Sequence, residues 1–217
     1  MPDGLLTSAR YYRPVVIFLI LAYVSGAIGL QLPVSSPLFR SLVPVNLLVS
    51  LALLLLFHPD WNRPFIFYCV LTWLVGFWVE VLGVKTGFVF GNYEYGPTLG
   101  IKFLDVPLLI GCNWLMLTYC CGVVCDRLPF PVYLKAIFAA SLMVLLDLLI
   151  EPVAIQLDFW NWFGADIPIR NYLGWWIVSL VLMSIWYGLP FRKDNRLAMP
   201  LLLLQFFFFI ASILFNL

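Results

Sequence analysis

Long apolar runs separated by short polar punctuation dominate this chain. Seven can be drawn, at about 14–31, 42–57, 64–83, 106–125, 132–151, 172–189 and 198–216. Most approach the ~20 residues that a helix needs to cross ~30 Å of hydrocarbon. The second and sixth are short for a span. Prolines and glycines mark the breaks: Pro33 and Pro37, His58-Pro59, Gly96-Pro97, Pro129 and Pro131, and Pro190. The pattern predicts an all-α fold, a polytopic membrane helix bundle of about seven transmembrane helices. A single integral membrane domain over 1–217 is sufficient. Arg10 and Arg13 precede the first run, as in a signal peptide, but that run is long enough to span and is read as a retained first helix.

Composition supports this class. Hydrophobic residues make up 64% of the 217 and charged residues only 11%. A soluble domain would carry about twice that charge. A net charge of +1 leaves no basic patch for nucleic acid and no acidic tail. Cys69, Cys112, Cys120, Cys121 and Cys125 form no Cys-x-x-Cys pair and are read as small apolar core residues. His58 is the only histidine, so no metal site is expected. With seven spans the termini fall on opposite sides. Arg10, Arg13, Arg63, Arg127, Lys135, Arg192, Lys193 and Arg196 collect on the N-terminal side, against Arg40, Lys85, Lys102 and Arg170 on the other. That bias predicts a cytoplasmic N-terminus, in a bacterial cytoplasmic membrane, with loops 84–105 and 152–171 on the outer face.

Charges inside a membrane are costly and usually functional. Glu80 lies 16 residues beyond Pro64, about 24 Å along a helix, and so in the outer half. Asp147 reaches a similar depth in the fifth run, and Glu151 follows at i+4 on the same face. Pro152 then ends or kinks that helix. Asn113 comes about seven residues into the fourth run, and Asn46 enters from the same side. Asn46, Glu80, Asn113, Asp147 and Glu151 thus share one layer of the outer half, while the inner half offers only Ser, Thr and Cys. The competing reading is interhelical hydrogen bonding. Gly76 and Gly83 on the Glu80 face allow a neighbouring helix or a thin ligand to come close. Among the surrounding aromatics, Trp162, Trp175 and Trp176 are read as an interfacial belt. Trp73, Phe77 and Trp114 are read as facing the bundle, where their π faces stabilise a cation.

A greasy, aromatic site with carboxyl groups suits one kind of chemistry. A carboxyl buried in an apolar pocket can hold its proton at neutral pH and act as a general acid. Its matching substrate is an apolar alkene. Protonating a trisubstituted isoprenoid double bond gives a tertiary carbocation, stabilised by aromatic faces and an ionised carboxylate. A positioned water then gives hydration, a neighbouring double bond gives cyclisation, and proton loss gives isomerisation. None needs a redox cofactor, and none is expected.

The run Glu80-x-x-Gly83-x-x-x-Gly87, continued as Phe90-Gly91-x-Tyr93-x-Tyr95-Gly96, Leu99-Gly100, Val106-Pro107 and Asn113-Trp114, resembles the carotenoid 1,2-hydratase family. So does Asp147-x-x-x-Glu151-Pro152-x-Ala154 with Trp160 and Trp162. The resemblance covers about 70–190. It implies an integral membrane enzyme of carotenoid biosynthesis, a hydratase adding water across the terminal C1=C2 bond of an acyclic ψ end group, as in lycopene, γ-carotene or C50 precursors. The matching positions are Glu80, Tyr93, Tyr95, Asn113, Trp114, Asp147 and Glu151. Asp147 or Glu80 is expected to protonate C2, and the other carboxylate, or Glu151, to orient the water that attacks C1. Asn113 and Tyr93 are expected to hold that water, with Trp114, Tyr95, Trp73, Phe77 and Asn46 contacting substrate. The expected partners are a carotenoid within the bilayer, water, and other carotenoid biosynthesis enzymes. A lycopene cyclase-like enzyme and a non-enzymatic carotenoid or lipid carrier are the alternatives.

Overall fold

The computed structural model describes residues 9–164 and 166–215. Seven α-helices run through them: α1 (Ala9–Gly29), α2 (Ser36–Leu56), α3 (Arg63–Thr86), α4 (Leu109–Asp126), α5 (Val132–Gln156), α6 (Ile169–Gly188) and α7 (Ala198–Leu214). Residue 216, the expected end of the seventh run, lies outside the described residues, as do the ends of the 1–217 domain. Helices α1 to α5 are long and apolar enough to cross a membrane, and α7 is apolar but shorter. The chain is a helical membrane protein.

The observed boundaries follow from proline chemistry. Pro37 and Pro64 sit in the first turns of α2 and α3, where a missing N–H costs nothing. The Asn62 side chain caps α3 by accepting from the Phe65 amide at 3.0 Å. Pro152 does not end α5, which runs on to Gln156. Only the Leu148 carbonyl loses its partner to the proline, and one further turn forms beyond it. Helix α4 begins at Leu109 rather than 106, because Val106–Pro107 (β3) pairs with Lys102–Phe103 (β2) in a small hairpin. A second ladder joins Tyr93–Tyr95 (β1) to Trp160–Trp162 (β4). These short strands are the addition to the expected all-α fold.

Helix α4 is the axis of the bundle. It is apolar on every side, and 14 of its 18 residues are buried. A helix patterned this way needs neighbours all round, and α2, α3, α5, α6 and α7 surround it. Helix α1 packs on α2 and α7. Gly76 on α3 lets α4 approach, since a Cβ there would lie 2.5 Å from the Trp114 side chain. Gly83 gives the same clearance to Phe90 and to the Tyr93 hydroxyl. The glycines of the Glu80 face thus receive a helix and a loop. Gly87, at φ +63°, closes α3 in the left-handed conformation that a helix C-terminus favours.

Candidate active site

The β1–β4 ladder carries the geometry of the site. Its antiparallel register sets Tyr93 opposite Trp162 and Tyr95 opposite Trp160. Opposed residues of a ladder point to one face. Four aromatic donors therefore face the bundle, while Glu94 points to solvent. Two of them serve Glu80, six residues before the end of α3. The Tyr93 and Tyr95 hydroxyls donate to its Oε2 at 2.5 and 2.8 Å, and Trp114 Nε1 of α4 donates to Oε1 at 3.0 Å. The other two serve Glu151. Trp160 and Trp162 donate through Nε1 to its Oε2 at 3.0 and 2.9 Å. Burial first, and the Glu80 carboxylate second, push both tyrosine hydroxyls well above the ordinary range. They remain donors.

Asn171, in the first turn of α6, ties the remaining carboxyl into the site. Its Nδ2 donates to Glu151 Oε1 at 2.8 Å and to Asp147 Oδ2 at 3.0 Å. Asp147 is wholly buried, and its Oδ1 has no hydrogen-bond partner. An ionised carboxyl is acceptor only. Glu80 and Glu151 each accept three hydrogen bonds, so both are built to be held as acceptors. Asp147 Oδ1 is the carboxyl oxygen on which a proton sits without displacing a donor.

Two cavities meet here. A polar one of about 20 Å³ is lined by Glu80, Glu151, Asn171, Asn113, Trp114 and the four ladder aromatics. That is room for about one water. An apolar groove of about 300 Å³ runs beside it between α1, α2, α4 and α7. Ile110, Asn113 and Trp160 line both. Phe18, Leu42 and Val45, at the rim of the groove, are about half exposed, so it opens on the outside of the bundle.

The sequence-selected residues divide accordingly. Glu80, Glu151, Tyr93, Tyr95, Asn113 and Trp114 converge on the polar cavity. Asp147 lies behind it, in contact with Asn171, and lines neither cavity. Asn46 lines the groove only. Trp73 and Phe77 line neither. They stack on each other with ring centroids 5.5 Å apart, Trp73 nesting against Gly111 and Phe77 facing Phe103. Trp162 and Trp175 are not belt residues: Trp162 bonds Glu151, and buried Trp175 stacks on Trp114 at 4.3 Å. Trp176 is half-buried and bonds Ser141 at an exposed position. Asn171 is the residue sequence reasoning missed. It stood one position before the sixth apolar run, and its polar side chain beside Arg170 read as loop. The half of the bundle away from the carboxylates, expected to offer only Ser, Thr and Cys, also holds His58, Tyr119 and Asn195, buried together.

Comparison with known proteins gives the family of the chain. A family model described as carotenoid biosynthesis protein matches residues 41–217. The chain belongs to that family. Bisanhydrobacterioruberin hydratase of Haloarcula japonica is 25% identical over 127 residues, which is 52% of this chain and 41% of the relative. The match thus spans less than half the length of that curated relative. No solved structure matches.

Proposed function

We propose that this protein is a hydratase that adds water across the terminal C1=C2 bond of an acyclic carotenoid end group. One observation carries the reading: a polar cavity with room for about one water shares its wall with an apolar groove open to the side of the bundle. The reaction joins an apolar chain to one water molecule, and these are the two compartments it requires. The name of the archaeal relative, a hydratase, supports the same reaction class.

The proton is stored on Asp147 and passes within the pair that Asn171 bridges to Glu151, which lines the polar cavity beside Trp160, the residue that cavity and groove share. Glu151 transfers it to C2, and the electron pair of the double bond forms the new C–H bond. The cation left at C1 is tertiary, and the Trp114 and Trp160 faces and the Glu80 carboxylate stabilise it. Water held near Asn113 adds its oxygen to C1. Its released proton goes to Glu80, and a proton returned from Glu80 to the Asp147–Glu151 pair resets the site. Asp147 acts through Glu151 and is a positioning and proton-storing residue. The balance is polyene plus water to tertiary alcohol, with no change of oxidation state overall and no cofactor consumed. The basic residues at the N-terminal end of the bundle favour that end on the cytoplasmic side.

Turnover in water enriched in heavy oxygen tests the reaction. The product hydroxyl is expected to carry the label. A product of unchanged mass, with a new ring, would replace hydration by cyclisation. Unchanged polyene in the presence of folded protein would favour a carrier.

A further inference from the structure

The groove is not uniformly apolar. Away from the carboxylates, Tyr23 of α1, Asn46 of α2 and Gln205 of α7 project into its wall. They form a loose group. The Tyr23 hydroxyl reaches Ser50 Oγ only at 3.4 Å, and Asn46 and Gln205 lie beside it. Gln205 is 3% exposed, yet its Oε1 has no hydrogen-bond partner. An unpaired buried acceptor in an apolar setting costs free energy. Polar side chains that serve only to join helices close their bonds across the interface. Here the Tyr23–Ser50 bond is long, Gln205 Oε1 is open, and the side chains border a cavity.

We infer that this cluster is a hydroxyl-binding subsite. The ligand of the groove is an acyclic isoprenoid chain already bearing an alcohol, at a distance from the reacting double bond that the groove itself sets. A hydroxyl both donates and accepts. It can donate to Gln205 Oε1 while accepting from the Asn46 amide or the Tyr23 hydroxyl, whereas a hydrocarbon leaves Gln205 Oε1 unpaired. The inference rests on the hydratase reading for which end of the ligand reacts, but the subsite makes its own claim about binding. A reaction that installs an oxygen on the chain must then precede this one.

Binding of short isoprenols tests it. Geraniol, farnesol and geranylgeraniol, of increasing length, are compared with the hydrocarbons of equal length on the purified full chain in lipid nanodiscs. One alcohol is expected to bind about tenfold more tightly than its hydrocarbon, the worth of about one hydrogen bond made to an otherwise unpaired group. Gln205→Leu should reduce the preference to about twofold or less without weakening the hydrocarbon. Asn46→Leu, at a half-buried position, should reduce it in the same direction. An equal affinity for alcohol and hydrocarbon overturns the inference. So does a preference that survives both substitutions, including the case in which they only lower the melting temperature. If the preference is found but no heavy oxygen enters a carotenoid, the hydratase reading fails and the subsite stands. Heavy-oxygen incorporation without any alcohol preference leaves the reaction and removes the subsite.

Discussion

Two buried polar clusters occupy opposite ends of this bundle, and they are built on opposite rules. At one end, His58 stacks on Phe65 and uses both ring nitrogens: Nε2 donates to the Asp60 carbonyl at 2.9 Å, and Nδ1 accepts from the Tyr119 hydroxyl at 2.7 Å. Asn195 donates to Tyr119 and to the Leu54 carbonyl, and accepts from the Leu197 amide. Every polar atom of these three side chains is paired, and neither cavity reaches them. At the other end, three carboxyls share one small volume, Asp147 keeps an open oxygen, and a cavity touches Glu80 and Glu151. Burial of polar groups alone therefore does not distinguish function from architecture in an apolar chain. Surplus charge and unspent hydrogen-bonding capacity beside a cavity do.

Substitutions can break that contrast. Glu151→Gln keeps the size of the side chain but removes the transferable proton, and its single amide oxygen can accept from Asn171 or from the two tryptophans but not from both; it should lower hydration about a thousandfold. Glu80→Gln should be nearly as damaging. Asp147→Asn should cost about tenfold to a hundredfold. With Asp147 acting through Glu151, as proposed, the double variant should be no worse than Glu151→Gln alone; additive losses measured in the double variant would give Asp147 a direct role. Tyr95→Phe leaves Glu80 one donor short and should cost about tenfold.

The opposite end should respond in stability and not in rate. Asn195→Ala removes the donor to the Leu54 carbonyl and one of the two partners of the Tyr119 hydroxyl, and should lower unfolding free energy by about 1–3 kcal/mol, with turnover per folded molecule within about twofold. A rate loss matching that of Glu80→Gln would join the two clusters into one machine. The smallest effect is in pH. Burial holds the His58 imidazole down from 6.5 to about 4, so it is neutral in the folded protein. Between those values the unfolded chain binds a proton that the folded chain refuses. The contribution of His58 is complete above pH 6.5 and lost progressively as pH falls toward 4, which melting curves of wild type and His58→Gln should show as a slope present only in the former.

The carboxylates were legible in the sequence because ionisable residues are rare enough in apolar helices for their depth to be compared. Glu80, Asp147 and Glu151 meet as that depth implied. What could not be read was which flank of each helix faces the cavity. Trp73 and Phe77 share a broad helical face with Glu80 but turn to the flank where Gly111 leaves room for a ring. Trp162 and Trp175 have the composition of an interfacial belt, and only the pairing of β1 with β4 and the Trp114 stack draw them inward. Asn171 is set by where α6 begins, a boundary that hydropathy alone misplaces by a few residues.

The most direct test is the mass of the pigment made when this chain, and its Glu151→Gln variant, are expressed in cells that accumulate lycopene and hydroxylated acyclic carotenoids. The account expects a product heavier by one water with the wild type and none with the variant at equal folded protein. A wild-type product of unchanged mass, or a variant as active as the wild type, would contradict it.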